Sequence, residues 1–226
     1  MARSVIDYYD KLAPAYDRLR FGNSYGRFLD RQERAILDER LPANLGRILD
    51  LGCGTGRLMD LATDGCDASA ASLQIARGKH PTKRFCNADV AALPFADASF
   101  DAIFCFHVFM HLPMSEIEAA CEECARVLRP GGSFIVDVAS RFRRRLRVPR
   151  PADWHGGTAL DSSRLAALAH RSGLRRKAIE GVMLLPAHRL PEGLRGPLCS
   201  IDRRLAALAP DLASYIVGVF VKEPRR

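Results

Sequence analysis

The sequence predicts an α/β fold, a doubly wound, mainly parallel sheet with a helical N-terminal lid and an antiparallel C-terminal edge strand. Three observations predict it. Arg47 to Leu51 (RILDL) is a short apolar run that passes directly into Gly52-Cys53-Gly54-Thr55-Gly56, and helical spacing resumes from Arg57 to Ala62, which is the opening of a βαβ unit. Strand-like and helix-like segments then alternate through the middle of the chain. Two of the strand-like segments, Phe100 to Phe106 (FDAIFCF) and Ser133 to Val138 (SFIVDV), are apolar on both alternating sets of positions, as strands covered on both faces require.

Taken in order, residues 5 to 21 (VIDYYDKLAPAYDRLRF) read as one or two short amphipathic helices broken at Pro14, where a proline removes a backbone donor and clashes with the preceding turn. Tyr25 to Arg40 reads as a longer helix stopped before Pro42. Beyond the glycine loop, Ser72 to Lys79 is helical, Lys83 to Cys86 strand-like, Phe100 to Phe106 a buried strand and Glu116 to Leu128 a helix. The turn Pro130-Gly131-Gly132 then enters the strand Ser133 to Val138. After an arginine-rich stretch come a helix (Ser162 to Ser172), a strand (Arg176 to Met183), a helix (Ser200 to Ala209) and a last strand (Tyr215 to Lys222), the two strands suited to a hairpin edge. Room is short between Gly56 and Asp67, because a βαβ crossover takes at least about 10 to 12 residues. The second strand is therefore expected to be trimmed, displaced or absent.

Size and composition set the outer bounds. The 226 residues suit a single domain over 1–226, with a helical lid at 1–45, a core at 46–140 and a substrate-side segment at 141–226. With 48% hydrophobic and 27% charged residues the chain can bury a core and is too apolar for disorder. No run approaches the roughly 20 apolar residues of a membrane span, and the N-terminus has acids and tyrosines where a signal peptide has its apolar stretch, so a cytoplasmic location is expected. Seven cysteines, odd in number and set mostly in apolar runs, read as reduced thiols used as small hydrophobes. Cys121 and Cys124 form a C-x-x-C on a helical segment, and no second Cys or His pair completes a metal site. The formal charge of +8 is densest in Arg141, Arg143, Arg144, Arg145, Arg147 and Arg150. Such a run could hold phosphates, yet no nucleic-acid-binding signature accompanies it, and it reads as a solvated connector.

The glycine loop has several rivals, and spacing separates them. A dinucleotide fingerprint G-x-G-x-x-G/A needs a small residue where Arg57 stands, and a nucleotide-hydrolase phosphate loop needs a Gly-Lys-Ser/Thr ending that is missing. What remains, Asp50-Leu51-Gly52-Cys53-Gly54-Thr55-Gly56, resembles the class I S-adenosylmethionine-dependent methyltransferases. Later segments resemble that family in the same order: Cys66-Asp67-Ala68-Ser69, Asn87-Ala88-Asp89-Val90 followed by Leu93-Pro94-Phe95, Cys105 to Pro113 (CFHVFMHLP) and Arg126 to Ser133 (RVLRPGGS). The motif between Asp89 and Pro113 resembles the small-molecule group that includes ubiquinone-pathway and natural-product enzymes.

The resemblance implies S-adenosyl-L-methionine as cofactor and S-adenosyl-L-homocysteine as product. It implies that Gly52, Cys53, Gly54 and Gly56 bring bare backbone against the methionine part, with Asp50 suited to the positive end. It gives Asp67 and Ala68 to the ribose hydroxyls, Asp89 and Val90 to adenine, Phe106 to the transfer site, and Tyr16 to a lid that also contains Tyr8 and Tyr9. His107 and His111 at the fourth-strand exit, and His155 beside Trp154, are the candidate bases for an acceptor that needs deprotonation. The expected partner is a small-molecule acceptor, hydrophobic or anionic, with nucleic acid disfavoured and a homodimer compatible. Two other readings stay open: an RNA or protein methyltransferase using 141–150, and a cofactor-binding subunit that has lost catalysis.

Overall fold

The computed structural model describes residues 2–41, 46–146, 157–186 and 189–224, and the backbone alone at 192–197. Its centre is a seven-stranded sheet of β1 (Ile48–Leu51), β2 (Asp64–Asp67), β3 (Arg84–Asn87), β4 (Phe100–Cys105), β5 (Leu128–Ala139), β6 (Leu174–Val182) and β7 (Tyr215–Lys222). They lie in the order β3-β2-β1-β4-β5-β7-β6. The first five run parallel, and β7 is antiparallel to both of its neighbours. The antiparallel strand is thus inserted between β5 and the outermost β6, and a whole helix separates β6 from β7 in sequence. Strand order reverses at β1, which pairs with β2 on one side and β4 on the other, so a crevice opens beyond the C-terminal ends of β1 and β4.

The period of two along each strand divides the core. Leu49, Leu51, Ile103, Cys105, Phe134, Val136, Ile216 and Phe220 pack on one face with Ile117, Ala120, Cys121 and Cys124 of α5 (Met114–Val127) and Leu165 and Leu168 of α7 (Ser162–Arg171). Ile48, Ala102, Phe104, Ile135, Val217 and Val219 pack on the other with Phe28, Ile36 and Leu37 of α3 (Ser24–Arg40) and Leu73 of α4 (Ala70–Lys79). Burying both sets of alternating positions is what the unbroken apolar runs demanded. Cys121 and Cys124 are inside this apolar layer. The N-terminus forms α1 (Arg3–Leu12), a 3-10 turn at Ala13–Ala15 containing Pro14, and α2 (Tyr16–Arg20). Helix starts are set by side chains: Asn23 Oδ1 accepts from the Gly26 amide at 2.9 Å, Ser69 Oγ from Ser72 at 3.1 Å and Asp161 Oδ1 from Arg164 at 2.8 Å.

Three expectations need correction. The second strand is present, as long as β1 and paired over Leu49↔Asp64 to Leu51↔Cys66; the shortage of residues falls on the crossover helix, reduced to a single 3-10 turn at Met59–Leu61. The reading of a disabled subunit rested on that strand alone and loses its motive. Pro130-Gly131-Gly132 does not precede β5. It is looped out within the ladder, since Phe100 pairs with Leu128 but Ala102 with Ser133, and Gly131 takes φ +79°. The last helix, α8, spans Glu192–Leu208, its first turns obscured in the sequence by Gly193, Gly196 and Pro197. The arginine run enters α6 (Arg141–Arg145) and splays: Arg141 faces Asp161 at 3.9 Å, Arg144 donates to the Thr158 carbonyl at 2.7 Å and Arg143 to that of Leu212 at 3.5 Å. Arg147 and Arg150 lie outside the described residues.

Gly65 is where β2 is most tightly hemmed in. A Cβ there would lie 2.9 Å from Cys53 Sγ, Met59 Sδ and a Phe85 ring carbon. Gly65→Ala is expected to cost about 1–3 kcal/mol by overpacking, read as a lowered denaturation midpoint with an unchanged slope.

Candidate active site

The loop after β1 is built on three left-handed glycines, each for a different reason. Gly52 has φ +79°, and a Cβ on it would come within 2.1 Å of Val108 Cγ2. Gly56, at φ +84°, is crowded by His80 and Ala76, and its carbonyl stands 2.8 Å from His80 Nε2. Gly54, at φ +53°, has no heavy atom within 4 Å of where its Cβ would be, so that position faces open space. Strand pairing continues into the loop, with the Gly52 and Cys53 amides donating to the Cys66 carbonyl at 2.7 and 3.1 Å. Asp67, at the end of β2, accepts from the Gly54 amide at 2.8 Å and the Ser69 amide at 2.7 Å, one on each carboxylate oxygen.

The open space is a cavity of about 620 Å³, solvent at its mouth included. Tyr16, Gly52, Gly54, Asp67, Ala68, Val90 and Phe106 of the expected cofactor set line it, as do His107 and His111. Asp50, Cys53, Gly56 and Asp89 stand outside the lining; Asp89 Oδ1 accepts from the Ala91 amide at 3.0 Å. Cys53 is buried behind the loop. Asp50 is also buried, with no hydrogen bond to its side chain from a described residue. Burial pushes its carboxyl up to about 8, Arg57 opposing and Asp67 adding to the rise.

The lid is latched by its own carboxylates. Asp10 Oδ1 accepts from Ser69 Oγ at 2.6 Å and from the Ala71 amide at 3.3 Å, while Asp17 accepts from Thr55 Oγ1 at 2.7 Å and pairs with Lys79. This seats Tyr9 and Tyr16 edge-to-face, ring centroids 6.0 Å apart, and brings the Tyr9 hydroxyl to 2.8 Å from His111 Nε2. Burial pushes both phenols up, that of Tyr16 to about 12, so both remain neutral hydroxyls near pH 7.

His107 faces two carboxylates. At φ +61°, it is clamped between Glu33, 2.6 Å from Nε2, and Asp137, whose carboxylate stands 3.3 Å from Nδ1 and accepts the His107 amide at 2.6 Å. A carboxylate thus faces each ring nitrogen, an arrangement that favours the protonated ring. Burial opposes that charge, yet Glu33 and Asp137 hold the ring above its ordinary value. Arg57 completes the cluster at 2.6 Å from Glu33 and under the Phe21 ring at 4.0 Å. His155 and Trp154 lie outside the described residues. Sequence reading missed Glu33 and Asp137; the signal for the second was a lone acid in the apolar run SFIVDV, while Glu33 looks like any acid of an amphipathic helix.

Against this geometry, residues 49–136 match the family profile described as a methyltransferase domain. Over those residues the chain is similar to the class I S-adenosylmethionine-dependent methyltransferases. Among its relatives is the demethylmenaquinone methyltransferase of Thermus thermophilus, 36% identical over 140 residues, which make up 57% of this chain and 62% of that protein. Another is the probable tRNA methyltransferase 9B of Bos taurus, 35% identical over 139 residues, 59% of this chain and 28% of that one. The fold also matches a methyltransferase chain from the complex with the Haloferax volcanii Trm112 methyltransferase activator, TM-score 0.71 at 21% identity, covering 96% of this chain and 98% of that one. The matches to the two curated relatives span less than two thirds of each.

The residues present fit the methyltransferase cofactor. A Cβ at Gly54 would occupy the cavity, and the buried Asp50 carboxyl behind the loop would gain from a nearby cation. Because a cation favours the ionised form, binding below about pH 8 must expel the Asp50 proton, so affinity rises with pH up to that value and levels above it. Calorimetry with S-adenosylmethionine between pH 6 and 9 is expected to show a rise of up to about tenfold per pH unit below pH 8, with proton release, and Asp50→Asn is expected to remove the portion due to this group.

Proposed function

We propose that the chain transfers a methyl group from S-adenosylmethionine to an oxygen, nitrogen or activated carbon of a small-molecule acceptor. The observation that carries this is a shared wall. Tyr9, Tyr16, His107 and His111 line the glycine cavity and also a second chamber of about 860 Å³, solvent included, walled by Phe21, Tyr25, Met110 and Tyr215. An acceptor in that aromatic chamber would meet the donor across four side chains that belong to both spaces.

The cofactor supplies an electrophilic methyl carbon on a sulfonium. The lid aromatics exclude water from that cation, and the chamber fixes the acceptor for an in-line approach, which supplies much of the rate. Tyr9 and His111 give the acceptor's proton a place to go. As the acceptor's lone pair forms the new bond and the carbon–sulfur pair returns to sulfur, the acceptor proton passes to the Tyr9 oxygen and the Tyr9 proton to His111 Nε2, 2.8 Å away. His107, held between Glu33 and Asp137, borders both spaces. The seven free thiols suit a reducing, cytoplasmic setting.

The second reading, a nucleic-acid acceptor, is favoured by the tRNA methyltransferase relative and by the fold's likeness to the Trm112-associated chain. The splayed arginines of α6 weigh against it, since they do not form one stripe for a backbone of phosphates. With labelled S-adenosylmethionine and a panel of phenols, amines and transfer RNA, label is expected in a small molecule. His111→Ala and Tyr9→Phe are each expected to lower kcat by about 10²–10⁴, the loss shrinking at high pH as the acceptor ionises unaided. Label in RNA alone, or a His111→Ala enzyme as fast as the native chain, would overturn the assignment.

A further inference from the structure

A second cleft adjoins the acceptor chamber just described, on whose reading the inference below rests. Tyr25 lines the chamber and also a neighbouring cleft of about 790 Å³, solvent included, so the two spaces meet at one side chain. The Tyr25 hydroxyl stands 3.4 Å from that of Tyr215, which fixes the ring at this junction. Met183, Leu185, Pro186 and Leu146 supply its apolar lining, Leu146 being 69% exposed. Two arginines, Arg143 and Arg189, are its charged lining residues.

Neither arginine has a carboxylate partner among the described residues. Arg143 makes one long bond, 3.5 Å to the Leu212 carbonyl, and leaves its other donors for a ligand; no side-chain hydrogen bond or ion pair of Arg189 with a described residue is present. Arg34, Arg40, Arg47, Arg57, Arg84, Arg126 and Arg129, by contrast, all hold carboxylates. Two guanidinium forks beside apolar side chains, with no acid in the lining, suit an oxyanion at the end of an apolar segment, because planar donors bind carboxylate and phosphate oxygens in pairs.

We infer that this cleft binds the far end of the acceptor, and that the acceptor is an elongated molecule with an apolar middle and a terminal carboxylate or phosphate held by Arg143 and Arg189. The reacting atom sits at Tyr9 and His111, the middle passes Tyr25, and the anion reaches the arginines. Charge complementarity then selects the acceptor at a distance from the chemistry, and amines of similar length are rejected by the same two cations.

Octanoate, octyl phosphate and 1-octanol distinguish the possibilities by calorimetry on the full chain saturated with S-adenosylhomocysteine. Saturable binding of octanoate or octyl phosphate at least tenfold tighter than 1-octanol is expected, and comparison of the two anions tells carboxylate from phosphate. The double variant Arg143→Met, Arg189→Met keeps the side-chain volume and is expected to bring both anions to the level of the alcohol, with cofactor affinity within about twofold of the native chain. Equal binding of anion and alcohol, no saturable binding of either anion, or a preference that survives in the double variant would overturn the inference. Cofactor binding by the native chain is measured without any probe. Its failure contradicts the methyltransferase reading, while the anion preference is decided separately.

Discussion

Everything at this site depends on the backbone turning left-handed as it leaves β1, and on one carboxylate that holds the turn. Gly52, Gly54 and Gly56 supply the turn, and Asp67 grips the Gly54 amide with one oxygen and the Ser69 amide with the other. From that grip the rest follows outward. Ser69 caps α4 and donates its hydroxyl to Asp10; Asp10 anchors the lid; and the lid seats Tyr9 against His111. The cavity is thus shaped by a continuous path of hydrogen bonds from the sheet to the helices that cover it. A buried Asp67 costs desolvation, and its carboxyl is pushed upward by that burial, with the two backbone amides opposing the rise.

A second path, electrostatic, fixes the opposite wall. Arg57 from the loop, Glu33 from α3, His107 from the end of β4 and Asp137 from β5 bring four elements together in one buried cluster. Such a cluster is stable only when complete, because removing one member leaves an uncompensated charge in low dielectric. The left-handed backbone at His107 is held by the same contacts, through the Asp137 oxygen on its amide. Rigidity at this point serves two spaces at once, since the ring borders both the cofactor cavity and the acceptor chamber.

What the sequence made legible was whatever is encoded locally. The doubly apolar runs of β4 and β5 predict strands covered on both faces, and Tyr215–Lys222 was read to the residue. The glycine loop borders a cavity that Asp67, Ala68 and Val90 also line. What stayed hidden depends on distant partners. Nothing near His107 in sequence shows that Glu33, 74 residues earlier, stands against its Nε2. The Tyr9–His111 pair joins residues 102 apart. The crossover after Gly56 was misjudged because length alone cannot say whether helix or strand gives way; pairing with β1 kept the strand, and the helix shrank to one turn.

The central claim is that the bare backbone at Gly54 is the floor of a methyl-donor site, and Gly54→Ala tests it most directly. No neighbouring atom lies within 4 Å of the added methyl, so the fold should survive with only the cost of a left-handed alanine, about 1–2 kcal/mol, or a melting point lower by a few degrees. Calorimetry with S-adenosylhomocysteine is expected to show the native chain binding and the variant weakened by at least about a hundredfold. A folded variant that binds the product as tightly as the native chain would contradict the account.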